Sequence, residues 1–200
     1  TTSYCNGSCV FCPYKELKSV LPQGKMEYSL FKRIIDECSE HRNVERVMPY
    51  LMNEPLLDRD ISQKVNYAKE KNPQASVHIV TNGSLLDDEL ITRLIRSRLD
   101  HIVVSFHGIR KDTVEKAMGV DFNNSLKRIC NFIEQAKKYK NIRDFIVITF
   151  LKHVFLSEEE RGEAYVFWKE KGIENISYFE GPVSRAGNVK GVPSVKHQNI

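Results

Sequence analysis

The sequence predicts an α/β fold assembled from parallel βα units. Short runs of apolar, largely β-branched residues recur along the chain, and segments with the three- and four-residue spacing of amphipathic helices lie between them. Strands that are apolar throughout belong to parallel sheets covered by helices. Right-handed crossovers then allow an open doubly wound sheet or a full or partial barrel. In both architectures ligands gather at the carboxyl ends of the strands, so the residues just after each strand are the ones to read for chemistry.

Taken in order, strands are expected at residues 44–51, 77–81, 101–106, 145–151 and 176–179. Tyr28, Phe31, Ile34, Ile35 and Cys38 fall on one face of a helix, as do Leu90, Ile91, Leu94 and Ile95, and again Leu126, Ile129, Ile133 and Ala136. The Lys137-Lys138-Tyr139-Lys140 run closes this third pattern, where cations suit the helix dipole. A last helix is expected from about Ser157 to Lys171, with Ser157 and Glu160 spaced as a capping box and Gly172 as a left-handed stop. Residues 181–200 mix Gly, Pro and Ser without periodicity and are expected to be a linker, leaving one domain at residues 1–180. A further strand is expected ahead of Thr1, so the chain reads as cut at both ends.

The composition, 41% hydrophobic and 28% charged over 200 residues, is that of an ordinary soluble globular chain. A formal charge of +4 is too mild and dispersed for a nucleic-acid partner. The longest apolar run, residues 145–151, is far short of the roughly 18 residues of a membrane span, and no export signal precedes the first cysteine. Of five cysteines, three crowd into residues 5–12, which fits metal ligation in a reducing, cytoplasmic setting better than a disulfide framework.

Those three stand in Cys5-Asn6-Gly7-Ser8-Cys9-Val10-Phe11-Cys12, with Asn6 and Gly7 tolerating tight turns. A structural zinc site wants four closed ligands, and the only candidates for a fourth are distant histidines such as His78 or His107. A cubane iron–sulfur cluster held by three cysteines keeps one iron corner open for a substrate or cofactor. Cys38 and Cys130 lie within helical segments and read as small core residues.

This spacing, with aromatic Phe11 before the third cysteine and a βα chain behind it, resembles the radical S-adenosylmethionine superfamily. The resemblance implies a partial (β/α)6 TIM-like barrel with a 4Fe–4S cluster on Cys5, Cys9 and Cys12. S-adenosylmethionine would chelate the open iron and be cleaved by one electron to a 5′-deoxyadenosyl radical that abstracts hydrogen from substrate. Met52-Asn53-Glu54-Pro55 looks like the family's Gly-Gly-Glu-Pro segment, with Met52 and Asn53 in place of the glycines, and implies an ammonium-binding role for Glu54. Thr81-Asn82-Gly83 matches the family's Thr-Asn-Gly, and Asn82-Gly83 is also a turn that needs a positive φ. Ser105 matches a serine that contacts the cofactor's carboxylate, while His107 replaces an aspartate and reads either as a polar group of the active site or, by preference, as a loop histidine. Val147 and Ile148 fall where relatives rest the adenine. Met118 stands where many relatives carry an arginine, which leaves Lys116 or Arg128 as substitutes.

Cys12-Pro13-Tyr14, the stretch from Leu21 to Met26 and the stretch from Pro182 to Asn188 resemble the branch followed by a SPASM or twitch-type extension with auxiliary clusters. The resemblance implies an enzyme acting on a peptide side chain or a small polar metabolite such as a sugar or aminocyclitol. It also implies an external one-electron donor of flavodoxin or ferredoxin type. The competing reading is a non-catalytic iron–sulfur or zinc module with a structural or redox-sensing role. A zinc hydrolase lacks a His/Glu ligand cluster at helical spacing.

Overall fold

Five parallel strands pair strictly in chain order in the structure, a computed structural model that describes residues 1–180. They are β1 (Arg46–Val47), β2 (Ser76–Thr81), β3 (His101–Ser105), β4 (Ile146–Leu151) and β5 (Asn175–Phe179). The helices are α1 (Tyr14–Leu17), α2 (Tyr28–Ser39), α3 (Ile61–Lys71), α4 (Asp88–Arg96), α5 (Lys111–Met118), α6 (Phe122–Ala136), α7 (Ile142–Phe145) and α8 (Glu158–Glu170). A doubly wound sheet reverses its strand order at a switch point. Here each crossover adds the next strand on the same side, which is the winding of a barrel, and the alternative left open by the sequence is thereby decided.

Burial alternates along the strands. Val77 and Ile79 of β2, Ile102 and Val104 of β3, and Ile148 of β4 join one apolar core with Val65, Leu90, Leu94, Ile129, Ile133 and Trp168 from the helices. The alternate positions His78, Val80, His101, Val103, Ser105 and Val147 are only half-buried. They form the inner face, whose carboxyl end receives the cysteine loop.

Strand β1 is shorter than the expected 44–51 because Pro49 interrupts the ladder, and beyond it Leu51 is 83% exposed. Helices α3 and α5 lack a broad apolar stripe in sequence. Helix α3 buries Lys64 beside Ile61, Val65 and Ala68, and α5 offers only Val114, Ala117 and Met118 with Thr113. Helix α2 buries Phe31 and Ile35, whereas Ile34 is exposed and Cys38 half-buried outside the core cluster, unlike the core role expected for it. Cys130 does pack against the core.

Ser157 caps α8 as expected, its Oγ accepting from the Glu160 N–H at 3.1 Å. The Glu160 carboxylate does not return the bond and is used elsewhere. Gly83 and Gly172 have the expected positive φ, +75° and +82°. The expected linker at residues 181–200 lies outside the described residues.

Candidate functional site

Helix α5 seats the cysteine loop. The last carbonyls of a helix have no partner within it, and two of them take the loop: Ser8 N–H donates to Met118 O and Val10 N–H to Ala117 O, both at 2.9 Å. Gly119 ends the helix at φ +65°, and a Cβ there would fall 1.9 Å from Ser8 Oγ, so both its backbone and its neighbour demand glycine. Within the loop, Gly7 N–H donates to Cys5 Sγ at 3.4 Å, and Cys12 N–H to Cys9 O at 3.0 Å. Tyr14 Oη accepts from Cys5 N–H at 2.8 Å and fixes the loop's entry.

The loop gathers acidic groups, and among the described residues no cation acts on the Cys5 and Cys9 thiols. Burial pushes the Cys5 thiol up to about 11 and the Cys9 thiol up to about 12, and the neighbouring thiols add to both shifts. Three thiolates at this place require a positive centre, which an iron–sulfur cluster supplies. Among the described residues no three His, Cys, Asp or Glu side chains converge as ligands of one metal ion. A cubane does not require that convergence, because each cysteine binds a different iron.

Glu54 links the loop to the end of β2. Its side chain is buried, with Oε1 accepting from Thr81 Oγ1 at 2.7 Å and Leu56 N–H at 3.0 Å, and Oε2 accepting from Asn82 N–H at 2.8 Å. Burial pushes its pKa to about 7 against the pull of these three bonds. The Glu54 N–H donates to Tyr4 O at 3.0 Å, next to Cys5. Both carboxylate oxygens, expected from the sequence to face an ammonium, are thus already engaged by protein donors. Pro55 opens a buried 3-10 turn over Pro55–Leu57. Asn53 Oδ1 accepts from Leu51 N–H at 2.8 Å, and its Nδ2 is buried without a partner among the described residues.

Asn82 reaches the loop itself, donating from Nδ2 to Asn6 Oδ1 at 2.9 Å, while Ser84 N–H and Oγ hold its Oδ1. Ser105 Oγ lies 3.2 Å from Thr149 Oγ1, and the register continues to Ser177, giving a row of three hydroxyls at the carboxyl end. Val147 shares this half-buried face, whereas Ile148 is fully buried in the core on the other. Neither substitute for the missing arginine is free: Lys116 pairs with Asp112 at 3.2 Å, and Arg128 donates to Ser84 O. Met118 instead offers Sδ to His107 N–H at 3.4 Å.

Sequence reasoning missed the ring cluster around Phe11. His107 meets Phe11 edge-on at a centroid distance of 4.8 Å, and His153 lies 5.8 Å from Phe11. It also missed Glu160, whose buried carboxylate accepts from Ile109 N–H, Arg110 N–H and Thr113 Oγ1 and so clamps the loop after β3. No local spacing signals either arrangement.

Residues 1–165 match the Radical SAM superfamily. The chain belongs to the radical SAM superfamily. The cofactors of that superfamily are a 4Fe–4S cluster and S-adenosylmethionine, and the loop's three thiols fit the former. Fe-coproporphyrin III synthase of Methanosarcina barkeri is 29% identical over 157 residues, 74% of this radical SAM chain and 38% of the relative. PqqA peptide cyclase of Granulibacter bethesdensis is 29% identical over 111 residues, 54% of this chain and 29% of the relative. The crystal structure of Streptococcus suis SuiB bound to precursor peptide SuiA matches with a TM-score of 0.73 at 20% identity, over 94% of this chain and 39% of that one. At that identity the likeness speaks for the fold, a radical SAM partial barrel. The chain spans less than two fifths of each of these proteins. No helix among the described residues is long and apolar enough to cross a membrane.

Proposed function

We propose that residues 1–180 form the catalytic core of a radical SAM enzyme in which Cys5, Cys9 and Cys12 hold a 4Fe–4S cluster and the adjoining strand ends bind S-adenosylmethionine. Cys5, Cys9 and Cys12 would hold the cluster, which would supply the one electron needed for reductive cleavage of S-adenosylmethionine and so for hydrogen abstraction from a substrate. The observation that carries this reading is the seating of the cysteine loop. Backbone bonds from Ser8 and Val10 fix it on α5, and Asn6 ties it to Asn82 at the end of β2. A loop pinned over the carboxyl ends of the strands puts its three cysteines near the place where ligands of this fold collect.

Each residue's part follows from its contacts. Glu54 holds the turn at Leu56 and the Thr81–Asn82 loop in one geometry, so the backbone of Met52 and Asn53 is presented as a fixed acceptor edge for the cofactor's ammonium. Ser105, paired with Thr149, offers hydroxyl donors to its carboxylate. Phe11 and Val147 supply apolar surface for the adenine.

The substrate is a peptide side chain or a small polar metabolite, a range in keeping with the peptide cyclase among the relatives. An external flavodoxin- or ferredoxin-type protein delivers the electron, in the reducing cytoplasm. Anaerobic reconstitution tests the cluster: about four iron and four sulfide per chain are expected, lost on changing any of Cys5, Cys9 or Cys12 to Ala. Stoichiometric zinc without iron in the anaerobically prepared protein would contradict the assignment.

A further inference from the structure

Helix α5 carries no side-chain cap of its own. Arg110, at its N-terminal boundary, makes no capping hydrogen bond to the helix. A carboxylate from α8 takes that place. Glu160, only 2% exposed, accepts on Oε1 from Ile109 N–H and Arg110 N–H at 2.8 and 2.9 Å, and on Oε2 from the Thr113 hydroxyl at 2.6 Å. A Cβ on Gly108 would fall 2.9 Å from Glu160 Oε1, so the turn after β3 closes directly on the carboxylate. A negative group at this end also suits the helix dipole. Burying a carboxylate is costly unless donors surround it, so Glu160 and its three donors hold one another in a single arrangement.

The opposite end of α5 is the seat of the cysteine loop. Ala117 O and Met118 O accept from Val10 N–H and Ser8 N–H, and Cys9 Sγ lies 3.8 Å from Met118 O. Eight residues of helix, about 12 Å, separate the two ends. A hydrogen-bonded helix this short moves as a unit, so a displacement where Glu160 holds it is passed to the carbonyls that hold the loop.

We propose that Glu160 is a positioning residue for the cluster, fixing through α5 where Ser8, Cys9 and Val10 are held. The inference rests on the radical SAM reading above. Three substitutions separate this role from plain stability. Glu160→Ala removes every acceptor. Glu160→Gln keeps an oxygen for the two backbone N–H groups and turns its amide to Thr113 Oγ1, whose proton has Phe155 O at 3.4 Å as an acceptor. Ser157→Ala removes the cap of α8 and so lowers stability without touching the turn after β3.

Iron release from anaerobic, cluster-loaded protein to a chelator, followed beside the urea midpoint of the same preparations, is the test. Glu160→Ala should release iron about 3- to 10-fold faster than wild type, the span of one lost hydrogen bond. Glu160→Gln should restore the wild-type rate, and Ser157→Ala should keep it despite a lower urea midpoint. Thr113→Val, which removes one donor, should accelerate release less than Glu160→Ala and replaces it if that variant does not fold. A wild-type rate in Glu160→Ala, or in Thr113→Val where it stands in, overturns the proposal. So does a rate that follows the urea midpoint across all variants, or a Glu160→Gln variant as fast as Glu160→Ala. The radical SAM reading stands in each of these cases. Wild-type protein that takes up no cluster overturns both.

Discussion

Asn82 and Asn6 meet across the site, Nδ2 of the first donating to Oδ1 of the second at 2.9 Å, and Asn6 Nδ2 returns to Ser84 Oγ at 2.8 Å. This side-chain link joins the cysteine loop to the end of β2, a sequence separation of 76 residues. Asn82→Ala removes it and leaves Asn6 Oδ1 and the Ser84 hydroxyl seeking partners, at a cost of about 1–3 kcal/mol. The fold should survive, with far-ultraviolet circular dichroism unchanged, while iron retained after anaerobic desalting falls below wild type. Full retention would show that the backbone bonds to α5 position the loop unaided.

Gly119→Ala attacks the same loop from the other side. The substitution places a methyl against Ser8 and asks alanine to hold φ +65°, a combination that costs at least about 1 kcal/mol in backbone strain before the clash. The loop should lift from α5, and reconstituted iron per chain should drop more than in Asn82→Ala. A variant with wild-type iron content would contradict the seating described above.

Glu54 accepts three protein hydrogen bonds from a buried site. Glu54→Gln keeps the shape but turns one acceptor into an amide that faces a donor N–H, so stability should fall by about 1–3 kcal/mol in urea unfolding. Affinity for S-adenosylmethionine should weaken with it, because the strand-end loops lose their common clamp. A loss of affinity with no loss of stability would instead favour direct contact of the carboxylate with the ammonium.

His78 and His101 stack edge-on across β2 and β3 at 4.4 Å, and burial with the neighbouring His101 lowers the His78 pKa to about 4. Between the ordinary value of 6.5 and about 4 the unfolded chain binds the extra proton, so this pair subtracts stability as pH falls through that window. Asp100 on one side opposes the shift, while Arg46 and Lys69 add to it. The urea midpoint should therefore fall more between pH 7 and pH 5 in wild type than in His78→Gln, about the range over which a histidine titrates. Equal losses would mean that His78 is charged in the folded protein.

The parts legible in sequence were those written locally. Three cysteines within residues 5–12, the Asn82-Gly83 turn, the Ser157 cap and the strand at 145–151 each carry their own signal, and the structure places the corresponding elements within a residue or so of the expected bounds. Tertiary contacts had no such signal. Glu160 reads as half of a capping box, yet its carboxylate crosses to Ile109 and Arg110, about fifty positions away. His107 reads as a loop residue because nothing local reports that Leu151, His153 and Phe11 close around it. Helix α5, only eight residues long, shows its importance through the carbonyls it lends to Ser8 and Val10 rather than through periodicity.

The central claim, that this chain cleaves S-adenosylmethionine at a cluster held by Cys5, Cys9 and Cys12, is tested most directly by 5′-deoxyadenosine release. Reduced, cluster-loaded protein given S-adenosylmethionine should form 5′-deoxyadenosine and methionine in equal amounts, slowly without substrate, and the Cys12→Ala variant should form neither. Wild-type protein with a full, reducible cluster that yields no 5′-deoxyadenosine above the Cys12→Ala control would contradict the account.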